Sequence, residues 1–401
     1  MTGSGQTPPP SQRNSRKLTP IFVPWLLLLA CSRPAGDKAP ELRGPAGPIV
    51  QASASAGAAA PLVPLSATRA AESSPSPSPP EKVDVQDTAM GTNIHFIAYT
   101  TARVDGAGAR RAMADALAEM RRLEATLSEW RDDSEVGRIN SHAGEWVPVG
   151  PETFTVIARA LAEGKVSDGA FDITFQAMHD VWKFGTAADA VPTLPSKSEI
   201  LRRRKLVDYR TVELDETARA VRIAKEHLIG LGGIAKGYIV DRAADVLKRA
   251  GLESFLVQAG GDLYGCGRKP DGSPWVSGIQ DPRAPQGVFF ATIELTDHAF
   301  STAGDYARSY VIGTRRYHHI IDPRTGYPAT ESRSVTVWAD DATTADAVDD
   351  AVFILGPERG LKLAEATPGV GVVIVDKHNR VWVSPRLQGQ VHITRQPTDG
   401  I

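Results

Sequence analysis

Asp346, Asp349 and Asp350 fall at positions i, i+3 and i+4 of a stretch whose apolar spacing predicts a helix over Ala342–Leu355, so the three carboxylates share one helix face. Adjacent anions repel unless a cation joins them, and hard carboxylate oxygens suit Mg2+, which completes its shell with water and substrate phosphates. A plain acidic surface run would show the same pattern, with Asp340 and Asp341 favouring the helix N-terminus. A second segment, Gly230-Leu231-Gly232-Gly233-Ile234-Ala235-Lys236-Gly237, runs into a helix predicted from Ala235. Its backbone N–H groups point at whatever sits before that helix, and a phosphate is the natural guest. Gly230, Gly232 and Ala235 also satisfy the dinucleotide fingerprint G-x-G-x-x-A, the mark of a nicotinamide or flavin oxidoreductase. That fingerprint expects an acid about 20 residues on, closing a second parallel strand; here Glu253 opens a strand and no alternating βα series follows. A tight loop that merely packs a helix on a sheet also fits.

The third segment is His318-His319-Ile320-Ile321-Asp322-Pro323-Arg324-Thr325-Gly326-Tyr327-Pro328, a strand leading into a turn shaped by Pro and Gly. His319 can act there as a base or a phosphate contact, with Asp322 orienting it, or as a structural histidine. The sequence contains no H-E-x-x-H, no paired C-x-x-C and no G-x-S-x-G, which removes zinc hydrolysis and serine catalysis of those kinds.

These segments need elements to hold them. Met113, Leu117, Met120, Leu123 and Leu127 recur at helical spacing, and Asn93 to Tyr99 alternates like a strand. Further helices are expected at Glu152–Lys165, Lys197–Lys205 and Ala235–Arg249. Strands are expected at Val212–Leu214, Ala220–Ala224, Phe255–Gln258, Val288–Leu295, Tyr317–Ile321, Ser334–Ala339, Val370–Val375 and Arg380–Val383. Several of these strands adjoin through short turns, which antiparallel sheets allow and parallel sheets do not. The class is α+β.

Charge and composition narrow the function. In 401 residues, 45 basic side chains stand against 47 acidic ones, so no uniform field attracts nucleic acid. Arg13, Arg16 and Lys17 precede an apolar stretch, Leu18 to Ala30, that is too short to cross a bilayer and reads as an export signal. It ends Leu28-Leu29-Ala30-Cys31, similar to a bacterial lipobox, with Cys31 as the lipidated residue; a secreted protein with a chance cysteine is the other possibility. Ser32 favours the outer membrane by resemblance to sorted lipoproteins. Residues 32–82 are rich in Ala, Pro, Gly and Ser and bury too little apolar surface to offset their ordering entropy. The expected organisation is therefore a signal at 1–31, a disordered tether at 32–82, one folded domain at 83–395 and a short tail at 396–401.

Taken in order, these segments resemble the FAD:protein FMN transferases, the ApbE-type flavin transferases, which are exported and often lipid-anchored. The resemblance runs from Met90 to Val383. It is carried by Met90-Gly91-Thr92, Ser128 to Asn140 with Asp133-Ser134-Glu135, Gly169 to Thr174, the Gly-rich loop, Gly260-Gly261-Asp262, Thr302 to Tyr306, the His319 turn and Ala345-Asp346-Ala347. It implies a single flavin-transferase-like domain with mixed, largely antiparallel sheets flanked by helices. It also implies an FAD cleft formed by Met90, Trp130, Ala170, Phe171, Asp172, Lys236 and Ile321, with Trp130 supplying the ring that stacks on flavin. The metal, Mg2+, would be held by Asp346, Asp349, Asp350 and the carbonyl of Gly233. His319 matches the family's active-site histidine and, with Asp346, is the expected catalytic pair.

The reaction implied is attack of a target-protein Thr or Ser hydroxyl on the FMN-side phosphorus of FAD. AMP leaves and FMN remains as a phosphoester. Typical acceptors are membrane subunits of flavin-dependent redox pumps. Two alternatives stay open: an FAD pyrophosphatase, with water in place of the hydroxyl, and a non-catalytic FAD-binding lipoprotein. The chain departs from the family pattern at Gly230 (commonly Asp), Ala303 (commonly Ser) and Asp350 (commonly Thr).

Overall fold

The computed structural model describes residues 79–184 and 193–400. Cys31 and nearly all of the expected tether lie outside the described residues. Eight strands form the central sheet: β1 (Lys82–Ala89), β2 (Thr92–Tyr99), β3 (Phe255–Ala259), β4 (Asp262–Cys266), β5 (His298–Gly304), β6 (Ser332–Ala339), β7 (Gly371–Asp376) and β8 (Val381–Val383). Their order across the sheet is their order along the chain, and every neighbouring pair is antiparallel. The architecture is thus α+β with antiparallel sheets.

Two tight turns pin this meander where the candidate site begins. Met90 and Gly91 join β1 to β2 with φ of 53° and 65°, the left-handed pair that a two-residue type I′ hairpin requires. The Met90 N–H donates to Glu124 Oε2 at 2.9 Å and ties the turn to the first helix. Gly260 and Gly261 join β3 to β4; Gly260 has φ of 61°, and a Cβ there would lie 2.7 Å from Thr92 Oγ1. Only glycine meets both demands, and the turn delivers Asp262 as the first residue of β4.

The helices are α1 (Gly106–Leu127), α2 (Glu135–Ser141), α3 (Pro151–Val166), α4 (Lys197–Arg204), α5 (Ala235–Arg249) and α6 (Ala342–Ala366). Successive strand residues point to opposite faces, and the core divides accordingly. Phe96, Val257 and Val337 pack with Met113, Met120, Val240 and Val348 on the helical side. Ile97, Leu256 and Trp338 pack with Trp275, Phe290 and Ile293 of a three-stranded sheet on the other side. Each such fully buried apolar side chain contributes about 1.5–3 kcal/mol of burial free energy. A third cluster joins Met178, Trp182, Ile200, Tyr317 and Ile321.

Some expectations change. The strand expected at Tyr317–Ile321 is broken: Arg315–His318 pairs with Ser309–Ile312, while Ile321–Asp322 pairs with Tyr327–Pro328. His319 and Ile320 fall between the two ladders, where the Ile320 N–H donates to His318 Nδ1 at 3.3 Å. The helix from Ala342 ends at Leu355 as expected, where Gly356 (φ 73°) and Pro357 break it, but a second helical piece follows as far as Ala366. The segment read as a tail is tied down, with the N–H and Oγ1 of Thr398 both donating to Asp281 Oδ2.

Candidate active site

α5 and α6 cross where the Gly-rich loop meets the acidic face. Asp241 of α5 accepts from the N–H groups of Ala342 and Thr343 at 2.8 and 2.9 Å, and Asp341 accepts from that of Thr344 at 2.8 Å. These carboxylates satisfy the open N–H groups of the α6 N-terminus. Asp341 therefore has the capping role that an ordinary acidic run would supply. Asp346 and Asp349 do not, for they face inward and are only 3 % and 4 % exposed.

Asp346 Oδ2 accepts from the Gly237 N–H at 2.9 Å, and its Oδ1 from the Lys236 ammonium at 3.1 Å. Lys236 also donates to Asp262 Oδ2 at 2.6 Å. The Ser301 hydroxyl lies 2.5 Å from Asp262 Oδ1 and 2.6 Å from Asp349 Oδ2. One hydroxyl proton cannot serve both oxygens, so the Asp262–Asp349 pair is one donor short. Burial first, and then the neighbouring carboxylates, push the pKa values of Asp346 and Asp349 upward. Burial also raises that of Asp350. Burial disfavours the charge on Lys236, but Asp262, Asp346 and Asp349 outweigh it and hold its pKa well above the ordinary lysine value.

Asp262, Asp346 and Asp349 each offer an oxygen within 4.8 Å of the others. Asp350 is set apart from that trio, with its Oδ2 2.9 Å from where a Cβ on Gly233 would stand and Phe171 Cε2 3.2 Å from the same point. A side chain at 233 would fill this space, so glycine is what lets the loop backbone approach Asp350 and Phe171. All the donors are hard oxygens, and a lysine ammonium already sits among them as a stand-in cation; the residues fit a hard divalent metal. Asp262 was not among the expected ligands. Its only signal in the sequence is the Gly-Gly-Asp turn, which marks a hairpin rather than a carboxylate site.

The Gly-rich loop closes through the N–H groups of Ile234 and Ala235, which both donate to the Leu231 carbonyl at 3.0 and 2.8 Å. The N-cap residue of α5, Ile234, makes no side-chain cap bond, and Asp346 takes the Gly237 N–H of the first turn. The N–H groups of Gly232 and Gly233 have no protein partner among the described residues, an arrangement suited to phosphate oxygens. At Gly230 a Cβ would lie 2.6 Å from Gln176 Oε1, so the Gln176 side chain occupies the space that a larger residue would need.

Of the other expected site residues, Phe171 approaches this centre at Gly233. The His319 N–H donates to the Arg308 carbonyl at 3.1 Å, and its buried Nδ1 has no partner among the described residues. Burial, then His318 and Arg308, push its pKa down to about 3, so the ring is neutral at pH 7. Trp130 is 70 % exposed and meets His179 edge-on at 5.5 Å, leaving a ring face open for stacking. Ala170 and Phe171 are buried. Asp172 commits both oxygens to structure, Oδ1 accepting from Thr174 and Oδ2 from the Tyr209 N–H at 2.9 Å. Ile321 is packed in the third cluster.

A family model described as the ApbE family matches residues 90–374. The chain is 33 % identical over 294 residues to an FAD:protein FMN transferase of Vibrio cholerae, covering 72 % of this chain and 86 % of the relative. It is 32 % identical to one of Treponema pallidum, covering 68 % and 79 %. Among solved structures, the ApbE protein of Thermotoga maritima superposes with a TM-score of 0.70 at 34 % identity, covering 77 % of this chain and 99 % of that one. The flavin transferase ApbE of Vibrio cholerae superposes with 0.67 at 29 %, covering 78 % and 100 %.

Proposed function

Because this chain belongs to the ApbE family, we propose that it transfers FMN from FAD to a Thr or Ser hydroxyl of an acceptor protein, with Mg2+, releasing AMP. The observation that carries this reading is the pair of buried carboxylates, Asp346 and Asp349, with the half-buried Lys236 ammonium at the start of α5. Carboxylates there suit a metal, and N–H groups with an ammonium suit phosphate oxygens. Phosphoryl transfer asks the protein mainly for positioning and charge neutralisation.

The acceptor hydroxyl oxygen bonds to the FMN-side phosphorus, and the bond from that phosphorus to the bridging oxygen breaks, so AMP leaves with that oxygen. Neutral His319, with its unpartnered Nδ1, accepts a hydrogen bond or the proton from the attacking hydroxyl. Lys236 and the N–H groups of Gly232 and Gly233 hold the diphosphate, and Trp130 stacks on the flavin ring. Asp346 and Asp349 would hold the metal, with Asp350 and the Gly233 carbonyl beside them. Bound Mg2+ would screen the diphosphate and stabilise the leaving phosphate. We place the reaction at the cell envelope, through the export signal and a lipid on Cys31, with a membrane redox subunit as acceptor.

The full-length protein incubated with FAD, Mg2+ and a Thr-bearing acceptor should yield a protein band with covalent flavin fluorescence, together with AMP. AMP and free FMN without acceptor would instead mark a pyrophosphatase. Intact FAD bound to the protein would mark a carrier without catalysis.

A further inference from the structure

We infer that Asp262 is a positioning residue that retains the Lys236 ammonium when a divalent metal displaces it from Asp346; this rests on the metal-dependent reading above. The two partners of Lys236 differ in kind. Asp262 is 1 % exposed, it follows directly on the Gly260-Gly261 turn, and its second oxygen is held by Ser301. It is therefore fixed by the sheet. Its bond to Nζ, at 2.6 Å, is shorter than the 3.1 Å bond from Asp346.

Asp346 is anchored by the Gly237 N–H through Oδ2 alone, and among the described residues Lys236 is the hydrogen-bond partner of its Oδ1. That oxygen is the one a metal can claim by displacing a movable cation. Lys236 has the means to yield, since its side chain is 38 % exposed and an ammonium rides on a flexible four-carbon stem. When Oδ1 is taken, Lys236 retains Asp262 and stays beside the diphosphate. Without the Asp262 charge, the strongest remaining attraction for the ammonium comes from Asp346 and Asp349, the metal carboxylates themselves, and lysine becomes a competitor for the metal.

The test is Mn2+ titration of the full chain without FAD, followed by electron paramagnetic resonance, for the wild type, Asp262→Asn, Lys236→Met and the double variant, with thermal melts to confirm folding. Lys236→Met should bind Mn2+ about tenfold more tightly than the wild type, a factor equal to about 1.4 kcal/mol. Asp262→Asn should weaken binding by about tenfold when Lys236 is present and by no more than about threefold in the Lys236→Met background, the coupling that a double-mutant cycle isolates. An equal or larger loss in the Lys236→Met background would overturn the inference, because Asp262 would then act as a further ligand or a plain anion. Should Asp262→Asn fail to fold, Lys236→Met decides alone, and binding no tighter than wild type overturns it. If neither the wild type nor Lys236→Met binds Mn2+, the metal-dependent function falls with it; if the wild type binds and Lys236→Met gains nothing, only the role of Asp262 falls.

Discussion

Gly237 and Asp346 join the two helices of the site: the Gly237 N–H donates to Asp346 Oδ2 at 2.9 Å, and a Cβ on 237 would stand 2.1 Å from the Ala342 carbonyl oxygen and 2.8 Å from Asp346 Cβ. Backbone cannot yield as a side-chain tip can. Gly237→Ala must therefore push α5 from α6 and carry Asp346 off position. We expect a loss of about 3 kcal/mol in urea unfolding, at the upper end for overpacking, and about 100-fold lower turnover from misplacement of reacting groups. Wild-type stability with wild-type turnover would contradict the close approach.

His319 gives a pH signature with a defined sign. Its folded pKa is pushed down to about 3 against an unfolded value of about 6.5. Between these values the unfolded chain binds the extra proton, so His319 makes stability fall as pH drops from about 6.5 toward 3. His318 is shifted in the same direction, mainly by burial. His319→Asn should lose transfer activity yet show a shallower decline in urea midpoint between pH 7 and pH 4.5 than the wild type. Equal slopes would show that His319 is not held neutral.

The fold was legible where pattern and burial agree. Asn93–Tyr99, Phe255–Gln258 and the Met113–Leu127 helix alternate or repeat as their surroundings require, and each appears in the structure. β5, His298–Gly304, was missed because Ser, Thr, Ala and Gly dominate it, and small residues carry little strand signal. Its Ser301 nevertheless bridges Asp262 and Asp349. Helical spacing alone united Asp346, Asp349 and Asp350, but spacing within one helix cannot show which neighbour from another strand joins them. Asp262 arrives from 84 residues earlier than Asp346, by a sheet register that only the tertiary fold defines.

Gly230 is shaped by Gln176. A Cβ at 230 would lie 2.6 Å from Gln176 Oε1 and 3.2 Å from its Cβ, and Gln176 is buried. Gly230→Asp should therefore cost about 2 kcal/mol through overpacking, and Gln176→Ala in the same chain should recover most of it. Thermal unfolding of the two single variants and the double variant measures the coupling; additive losses would mean that the side chains do not share that space.

The C-terminal segment has a stabilising role through Asp281. This fully buried carboxylate accepts from Arg395, from the Arg283 N–H, and from Thr398 twice. Burial raises its pKa, but those hydrogen bonds outweigh it and leave the value below the ordinary one. Asp281→Ala strands several donors and is expected to cost about 3 kcal/mol, with faster proteolysis near Gln396. An unchanged digestion pattern would show that residues 396–400 are held by other contacts.

Metal binding should itself depend on pH, with a sign set by the raised carboxylates. Burial and neighbouring anions lift Asp346 to about 7, and burial lifts Asp350 to about 6. In the metal-free protein the folded state thus binds more protons than the unfolded one between the ordinary carboxylate range and about pH 7, and stability falls as pH rises through that window. A divalent cation reverses the penalty, but it must displace those protons to bind below pH 7. Mg2+ at 100 times its dissociation constant should add about 2.7 kcal/mol at pH 8, seen as a raised melting temperature, and the increment should shrink sharply by pH 5.5. Asp346→Asn should abolish the Mg2+ increment at both pH values while the metal-free protein melts no earlier, since the change removes a charge from a crowded anionic cluster. An increment that persists in Asp346→Asn would place the metal elsewhere.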